Sequence, residues 1–127
     1  VFLMERPEDI QRKFKRAITD SDTENCVRYD PANKPGVSNL MSIYSAVTDK
    51  SYEQIEAEFA GQGYGKFKPA VGDAVIETLR PIREETQRLL KDKAYLESVY
   101  RNGAEKAGYV AEKTLRKVYK KVGFLPR

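Results

Sequence analysis

The chain has 127 residues, of which 40% are apolar and 33% charged, and its formal net charge is +4. This length suits one domain with a hydrophobic core, and the composition is too apolar for a disordered chain. The sequence has no signal-peptide pattern and no apolar run near the ~20 residues that a membrane-spanning helix needs. These features predict a cytoplasmic protein without a membrane partner.

Two residue types that carry much of enzyme chemistry are missing or rare. The sequence has no histidine, and Cys26 is its one cysteine. These two facts exclude Ser-His-Asp and Cys-His catalysis, His-ligated metals and Cys-rich zinc sites. The carboxylates at Asp20, Asp22, Glu24 and Asp30 lack the spacing of a calcium-binding EF-hand loop. These chemistries are excluded, and on residue types alone we assign no catalytic, cofactor-binding or metal-binding residue in this chain.

The first predicted helix begins at Pro7, because proline suits the first helical position. Ile10, Phe14 and residues 17–18 follow at helical spacing and form one apolar stripe. From 19 to 36, turn residues and two prolines predict a long irregular loop. Such a loop is longer than most connections in compact domains, which indicates a functional or docked segment.

The middle of the sequence predicts three further helices. One opens near Ser38, and a capping box at Ser51 marks the start of a short helix after it. A glycine-rich turn at 61–65 then leads into a long helix at 66–91. Pro81 lies inside that helix and predicts a kink, because proline cannot donate a helical hydrogen bond.

The last helical region is predicted from Lys93 to Val122, with an interruption at Asn102 and Gly103. No segment alternates convincingly enough to form a strand. The sequence therefore predicts an all-α fold, a helical bundle of five to six helices that forms a single domain over residues 1–127.

Positive charge is concentrated near the end of the chain. Residues 91–127 hold ten Lys/Arg against four Asp/Glu, a net of +6, whereas residues 1–90 hold thirteen against fifteen, a net of −2. A basic helix face can contact an RNA backbone, an anionic membrane or plain solvent. The apolar stripe behind it is rich in alanine and lacks tryptophan, which argues against a membrane. The lysines that share this face are Lys113, Lys117, Lys120 and Lys121.

Two smaller sets of residues are also candidates for contacts to nucleic acid. Lys66 and Lys68 lie at a predicted helix N-terminus, which favours anions. The glycines at 61–65 match no phosphate-binding fingerprint, and a flexible helix-to-helix turn explains them better than a phosphate loop does. Arg28 and Tyr29 form a guanidinium–aromatic pair suited to nucleotides, although Tyr29 could instead cover the core while Arg28 pairs with an acid.

Four stretches along the chain form a recognisable series. They are Lys-Arg-Ala-Ile-Thr-Asp-Ser at 15–21, the segment from Val-Arg-Tyr-Asp to Lys-Pro-Gly-Val-Ser-Asn-Leu at 27–40, the segment at 61–82 that begins Gly-Gln-Gly-Tyr-Gly-Lys-Phe-Lys, and Gly-Ala-Glu-Lys-Ala at 103–107. In this order they resemble the C-terminal part of bacterial tryptophanyl-tRNA synthetases, and the resemblance covers essentially the whole chain.

The resemblance implies a function for the parent protein. Family members are homodimeric class I synthetases that activate tryptophan with ATP and Mg²⁺ on a Rossmann domain. They then transfer it to tRNA, and their helical C-terminal domain approaches the anticodon. This sequence has neither a His-x-Gly-His-like signature nor a Lys-Met-Ser-Lys-Ser-like loop. No catalytic residue can therefore be assigned to it.

From the resemblance we expect an anticodon-binding-type domain, truncated from a larger synthetase and inactive alone. Its expected partners are tRNA(Trp), through the basic helix face, and the Rossmann domain of the same chain. The alternative is a free-standing helical module that binds RNA or another protein. The candidate tRNA contacts are Arg28, Tyr29, Tyr64, Lys66, Lys68, Lys113, Lys117, Lys120 and Lys121, with Tyr29 and Tyr64 as stacking residues.

Overall fold

The computed structural model describes residues 1–20 and 26–125, and these form five helices and no strand. The prediction of an all-α fold is confirmed. The chain divides into two compact units, unit 1 (residues 1–84) and unit 2 (residues 85–127), with the boundary inside the fourth helix. The single domain predicted over 1–127 stays a prediction. The helices are α1 Pro7–Arg16, α2 Pro35–Thr48, α3 Tyr52–Glu58, α4 Gly63–Lys91 and α5 Lys93–Val122.

Unit 1 is built around one apolar core to which all of its helices contribute. The aromatic residues meet edge to face: the ring centroids of Phe59 and Phe67 are 5.0 Å apart, and those of Tyr44 and Phe59 are 5.7 Å apart. This geometry suits the charge distribution of aromatic rings. The fully buried residues with the largest side chains are Phe67, Ile10, Met41, Ile55, Val37 and Val71.

The helix starts that the sequence predicted most specifically are confirmed. Pro7 is the first residue of α1. At α3, Ser51 accepts a hydrogen bond from the Gln54 backbone, and the Gln54 side chain accepts one from the Ser51 backbone at 2.9 Å. The apolar stripe of α1 is shorter than predicted, because the helix ends at Arg16 and Ile18 is exposed.

The irregular segment between α1 and α2 is confirmed in part. Residues 17–20 and 26–34 lie outside any helix, whereas positions 21–25 of the predicted loop, with Asp22 and Glu24, lie outside the described residues. The predicted end of the loop was wrong, since α2 begins at Pro35 and not near Ser38. Pro35 and Gly36 form the first helical turn, a position where proline needs no hydrogen-bond partner for its nitrogen.

Gly36 brings the first turn of α2 against the backbone that follows α1. A Cβ atom built on Gly36 would overlap the carbonyl oxygen of Ile18 and lie 3.3 Å from the Cα of Thr19. The obstacle is main chain, which cannot swing aside as a side chain can. This position therefore requires glycine for packing.

The fourth helix starts earlier than predicted and runs without a break through two prolines. Gly63 and Gly65, predicted in a turn, lie in α4, and only Gly61 and Gln62 precede it. Gly61 and Gly63 have φ values of 70° and 68°, which glycine adopts without strain. Pro81 lies inside the helix as predicted. The kink at Pro81 stays a prediction.

In unit 2, α5 is one helix of 30 residues. The predicted interruption at Asn102 and Gly103 was wrong. A glycine inside a helix costs only about 1 kcal/mol relative to alanine, and the flanking turns are good helix formers. The helix ends at Gly123 in the left-handed conformation, with φ of 76°. No helix among the described residues is long and apolar enough to cross a membrane.

Candidate nucleic-acid interface

Local interactions hold α5 along its length. At its start the Asp92 side chain accepts a hydrogen bond from the backbone N–H of Tyr95 at 3.0 Å. Two ion pairs, at helical spacing of four residues, follow on its surface: Glu97 with Arg101 at 2.7 Å and Glu112 with Arg116 at 2.8 Å. Each pair of this type contributes about 0.3–0.5 kcal/mol. The sequence of α5 thus supports a helix although none of its residues is buried.

The lysines predicted to share one face of α5 are all exposed. An α-helix turns by about 100° per residue, which places the four side chains within an arc of roughly 100°. None of them forms an ion pair with a described residue, whereas the neighbouring Arg116 is paired with Glu112. The result is a row of unneutralised cations, consisting of Lys113, Lys117, Lys120 and Lys121, which we call the lysine face.

The position of the lysine face on α5 also favours cations. Lys120 and Lys121 lie in the last turn of the helix. The free carbonyl groups of that turn carry the negative end of the helix dipole, which stabilises positive side chains there. Stabilisation of the helix end is therefore sufficient to explain these two lysines. Because their side chains are exposed, a phosphate contact is compatible with that role.

An apolar stripe runs along the side of α5 away from the lysine face. Leu115, Val118 and Val122 lie on it and are 47%, 46% and 56% exposed. Near the helix end, Phe124 folds back so that its ring meets Tyr119 edge to face at 5.8 Å. A groove of about 590 Å³ is lined there by apolar and charged side chains together. These apolar groups are suited to contact another protein surface.

Lys66 and Lys68 lie in the first two turns of α4, on either side of the fully buried Phe67. Lys66 is exposed and Lys68 is half-buried. Neither forms an ion pair with a described residue. The first turn of a helix has free backbone N–H groups that attract anions, so this end of α4 can receive a phosphate.

Tyr64 does not offer a surface for stacking. Its side chain is only 6% exposed, and its hydroxyl donates to the Asp20 carboxylate at 2.8 Å. Sequence reasoning placed Tyr64 in a flexible glycine turn, where a ring would be free. Because α4 begins at Gly63, the ring points into unit 1 instead.

The structure contains a buried polar network that the sequence did not reveal. Lys34 is 6% exposed, and its ammonium group donates to Asp20 at 2.8 Å and to the Tyr64 hydroxyl at 3.1 Å. The same hydroxyl lies 3.1 Å from the carbonyl oxygen of Cys26. Burial alone would raise the pKa of Asp20, but the hydrogen bonds from Lys34 and Tyr64 outweigh it and the pKa is lowered. Burial raises the pKa of Tyr64. The network fastens the irregular segment to the starts of α2 and α4.

Arg28 and Tyr29 lie beside α3. The Arg28 guanidinium is exposed and meets Asp30 at 3.4 Å, and Tyr29 stacks on Tyr52 with ring centroids 3.8 Å apart. Both structural alternatives raised from the sequence therefore hold in part: Arg28 has an acidic partner, and Tyr29 covers another side chain. Neither residue is buried.

Groups that could hold a metal ion or act as a nucleophile are sparse among the described residues. These residues contain no group of three or more His, Cys, Asp or Glu side chains placed to hold a metal ion. Cys26 is exposed, and no histidine exists to activate it. What the structure assembles is exposed positive charge on α5 and at the start of α4.

Comparison with known proteins supplies the family context. The family model described as "tRNA synthetases class I (W and Y)" matches residues 1–80. Three curated relatives bear the name "Tryptophan--tRNA ligase": those of Clostridium tetani, Clostridium acetobutylicum and Leifsonia xyli, which are 50%, 47% and 46% identical over 125 residues. Each alignment covers 98% of this chain but only 36% of the relative, so the chain spans about a third of their length.

A solved structure has the same fold. The crystal structure of tryptophanyl-tRNA synthetase from Mycoplasma pneumoniae superposes with a TM-score of 0.63. It is 24% identical, and the match covers 98% of this chain and 39% of that chain.

Proposed function

Because the chain belongs to the family of class I tRNA synthetases for tryptophan and tyrosine, we propose that it is the tRNA-contacting helical part of a tryptophan–tRNA ligase. The names of its relatives, at 46–50% identity over nearly the whole chain, favour tryptophan over tyrosine. In this proposal the complete enzyme is a cytoplasmic homodimer that joins tryptophan to tRNA(Trp) at the expense of ATP, with Mg²⁺.

The proposal assigns binding to this part of the enzyme and chemistry to the rest. The chain spans 36% of its relatives, which leaves about two thirds of such a protein to bind ATP, Mg²⁺ and tryptophan. The absence of histidine and of both class I signature motifs from this sequence supports that division. The described residues by themselves are proposed to be inactive.

The lysine face of α5 is the observation that carries the proposed contact with tRNA. Four exposed lysines without a described ion-pair partner would gain most from phosphate groups, because no acid has to be displaced. Neutralising phosphates releases condensed counterions and makes the affinity depend on salt. Lys66 and Lys68 are proposed as further phosphate contacts and Arg28 and Tyr29 as contacts to nucleotides. Tyr64 is left out because its ring is buried.

The apolar stripe of α5 supports a second role in the same protein. Leu115, Val118 and Val122 form a continuous apolar surface that is about half exposed to solvent. Continuous exposed apolar surfaces are typical of contact sites with another protein surface. We propose that the stripe docks on the rest of the synthetase chain, including its Rossmann domain. A free-standing protein-interaction module would have the same stripe. Binding to RNA therefore has to distinguish such a module from the proposed part of a synthetase.

The test is the salt dependence of tRNA(Trp) binding by the complete protein. We expect Lys117→Ala with Lys120→Ala to weaken binding and to flatten the plot of log affinity against log salt by about 0.7–0.9 for each phosphate that is no longer neutralised. The matched control is Lys91→Ala with Lys93→Ala, which removes the same charge from exposed positions outside the lysine face. Equal effects of the two double variants would mean that only net charge matters and would contradict the proposal.

A further inference from the structure

Tyr29 and Tyr52 form a parallel ring stack that differs from the other aromatic contacts of unit 1. Their centroids are 3.8 Å apart and the ring planes differ by 8°. The aromatic pairs inside the core meet at 66° to 77° instead. The stack lies at the surface, since Tyr29 is 36% exposed although Tyr52 covers one face of its ring.

Hydrogen bonds hold the Tyr29 backbone and the Tyr52 hydroxyl in place, and the stack on Tyr52 positions the Tyr29 ring. The backbone N–H of Tyr29 donates to Glu56 at 2.8 Å, and the hydroxyl of Tyr52 lies 3.3 Å from that of Ser42. Tyr52 is also the first residue of α3, directly after the N-cap Ser51. A ring that is already positioned loses little conformational freedom when a flat ligand stacks on it, which favours binding.

The charges around the stack indicate which flat ligand it suits. Arg28 precedes Tyr29, but its guanidinium meets Asp30 at 3.4 Å, and Glu56 lies at the Tyr29 backbone. Two carboxylates beside one guanidinium make a poor site for a phosphate. A nucleobase is a neutral, flat ring, and aromatic side chains bind unpaired bases by stacking.

We propose that Tyr29, backed by Tyr52, is a stacking platform for one unpaired base of RNA, with Arg28 at its edge. This inference rests on the proposed function and goes beyond it, because it separates contact with a base from contact with the backbone. The lysine face would supply affinity that depends on salt, and the platform would supply affinity that does not.

The experiment uses the complete protein and tRNA(Trp) transcripts with 2-aminopurine placed singly at unpaired positions. Stacking on a tyrosine should quench the fluorescence of the probe at one position. We expect Tyr29→Phe, which keeps the ring, to retain this quenching. Tyr29→Leu, which keeps apolar bulk but loses the aromatic face, should abolish it and weaken tRNA binding roughly 5- to 150-fold.

The salt slope separates this site from the lysine face. Tyr29→Leu should leave the slope unchanged, whereas Lys117→Ala with Lys120→Ala should lower it. Tyr100→Leu is the matched control, since Tyr100 is 70% exposed, lies outside the lysine face and makes no ring contact with a described residue. Its binding should equal that of the unaltered protein.

Three results would overturn the platform. One is quenching that survives in Tyr29→Leu; another is a loss of affinity no larger than in Tyr100→Leu. The third is a Tyr29→Leu protein with a lowered salt slope. Melting curves of both variants identify any loss of binding that comes from unfolding. If Tyr29→Leu unfolds, Tyr29→Phe and Arg28→Lys are used instead. An unquenched probe in Tyr29→Phe refutes stacking. If the lysine variant weakens binding and Tyr29→Leu does not, the platform fails alone; if neither does, the proposed function fails too.

Discussion

Unit 1 and α5 differ in the burial of their apolar side chains. Every buried apolar residue among those described lies in unit 1, whereas most large apolar residues of α5, among them Tyr100, Leu115 and Val118, are exposed. A core provides stability through burial of apolar area, at about 25 cal/mol per Å². A lone helix depends on caps, ion pairs and propensity, each contributing a fraction of a kcal/mol.

This difference indicates where substitutions should affect folding and where they should affect binding. In unit 1 the core side chains pack against one another. Even the buried ammonium group of Lys34 is hydrogen-bonded to a carboxylate and a hydroxyl. In α5 the lysine face and the apolar stripe are exposed. The comparison predicts large losses of stability in unit 1 and small ones in α5.

The largest expected effect is that of Phe67→Ala. Removing a fully buried phenylalanine should lower the free energy of unfolding by about 3–5 kcal/mol, because apolar burial is reduced and a cavity is left behind. Leu115→Ala, at a side chain that is 47% exposed, should change it by no more than about 0.5 kcal/mol. Urea unfolding of the two variants of this chain measures both. Similar losses would mean that α5 is part of a core.

The buried ion pair should give the next largest effect, and its effect should depend on pH. Asp20→Asn removes a carboxylate that the largely buried Lys34 ammonium contacts at 2.8 Å, which should cost roughly 2–4 kcal/mol at neutral pH, somewhat below the loss for a fully buried pair. The pKa of Asp20 is lowered by folding, so its contribution is complete above the unfolded value near 4 and is lost as pH falls through the lower folded value.

The stability of the unaltered chain and of Asp20→Asn should therefore converge below about pH 4. Urea unfolding measured over a pH series checks this. Glu85→Gln is the control, because that carboxylate is paired with Arg88 on an exposed surface and should contribute little. A stability difference for Asp20→Asn that stays constant at low pH would contradict the role given to the ion pair.

Gly36→Ala should lower stability by roughly 1–3 kcal/mol, because the added Cβ overlaps the Ile18 main chain. Gly65→Ala is its matched control in unit 1: a Cβ there meets nothing within 4 Å. Since alanine is the better helix former, Gly65→Ala should raise stability by up to about 1 kcal/mol. Thermal unfolding distinguishes the two, and equal signs would refute the packing argument.

The smallest effect is expected in α5. Gly103→Ala adds a Cβ that meets nothing within 4 Å and should stabilise the helix by about 0.5–1 kcal/mol. Slower amide hydrogen exchange in the turns around residue 103 would report this. A faster exchange there would mean that Gly103 is needed for close packing and that α5 is not held by local interactions alone.

The parts of this fold that follow from local rules could be predicted from the sequence. Pro7 at a helix start, the capping box at Ser51 and the long helix after Gly61 depend on residues close in the chain. The lysine face needs only helical spacing. Two of the local errors have a common cause: Gly103 and the Pro35–Gly36 pair were taken as breaks, but a single glycine is tolerated inside a helix and proline suits its first turn.

The rest depends on contacts between residues far apart in the chain. Lys34 and Tyr64 are 30 positions apart, and Asp20 and Tyr64 are 44 apart, so no local pattern could place them together. The stack of Tyr29 on Tyr52 is likewise tertiary. The sequence therefore predicted Tyr64 as a surface residue and left the surroundings of Tyr29 open between docking and binding.

The most direct test of the division between unit 1 and α5 is acetylation of lysines in the complete protein, with and without tRNA(Trp). Without tRNA, Lys113, Lys117, Lys120 and Lys121 should react readily and the buried Lys34 hardly at all. Bound tRNA should slow the first four several-fold and leave exposed Lys91 and Lys93 unchanged. If all exposed lysines are slowed alike, or if only lysines outside α5 are protected, the lysine face is not the tRNA contact.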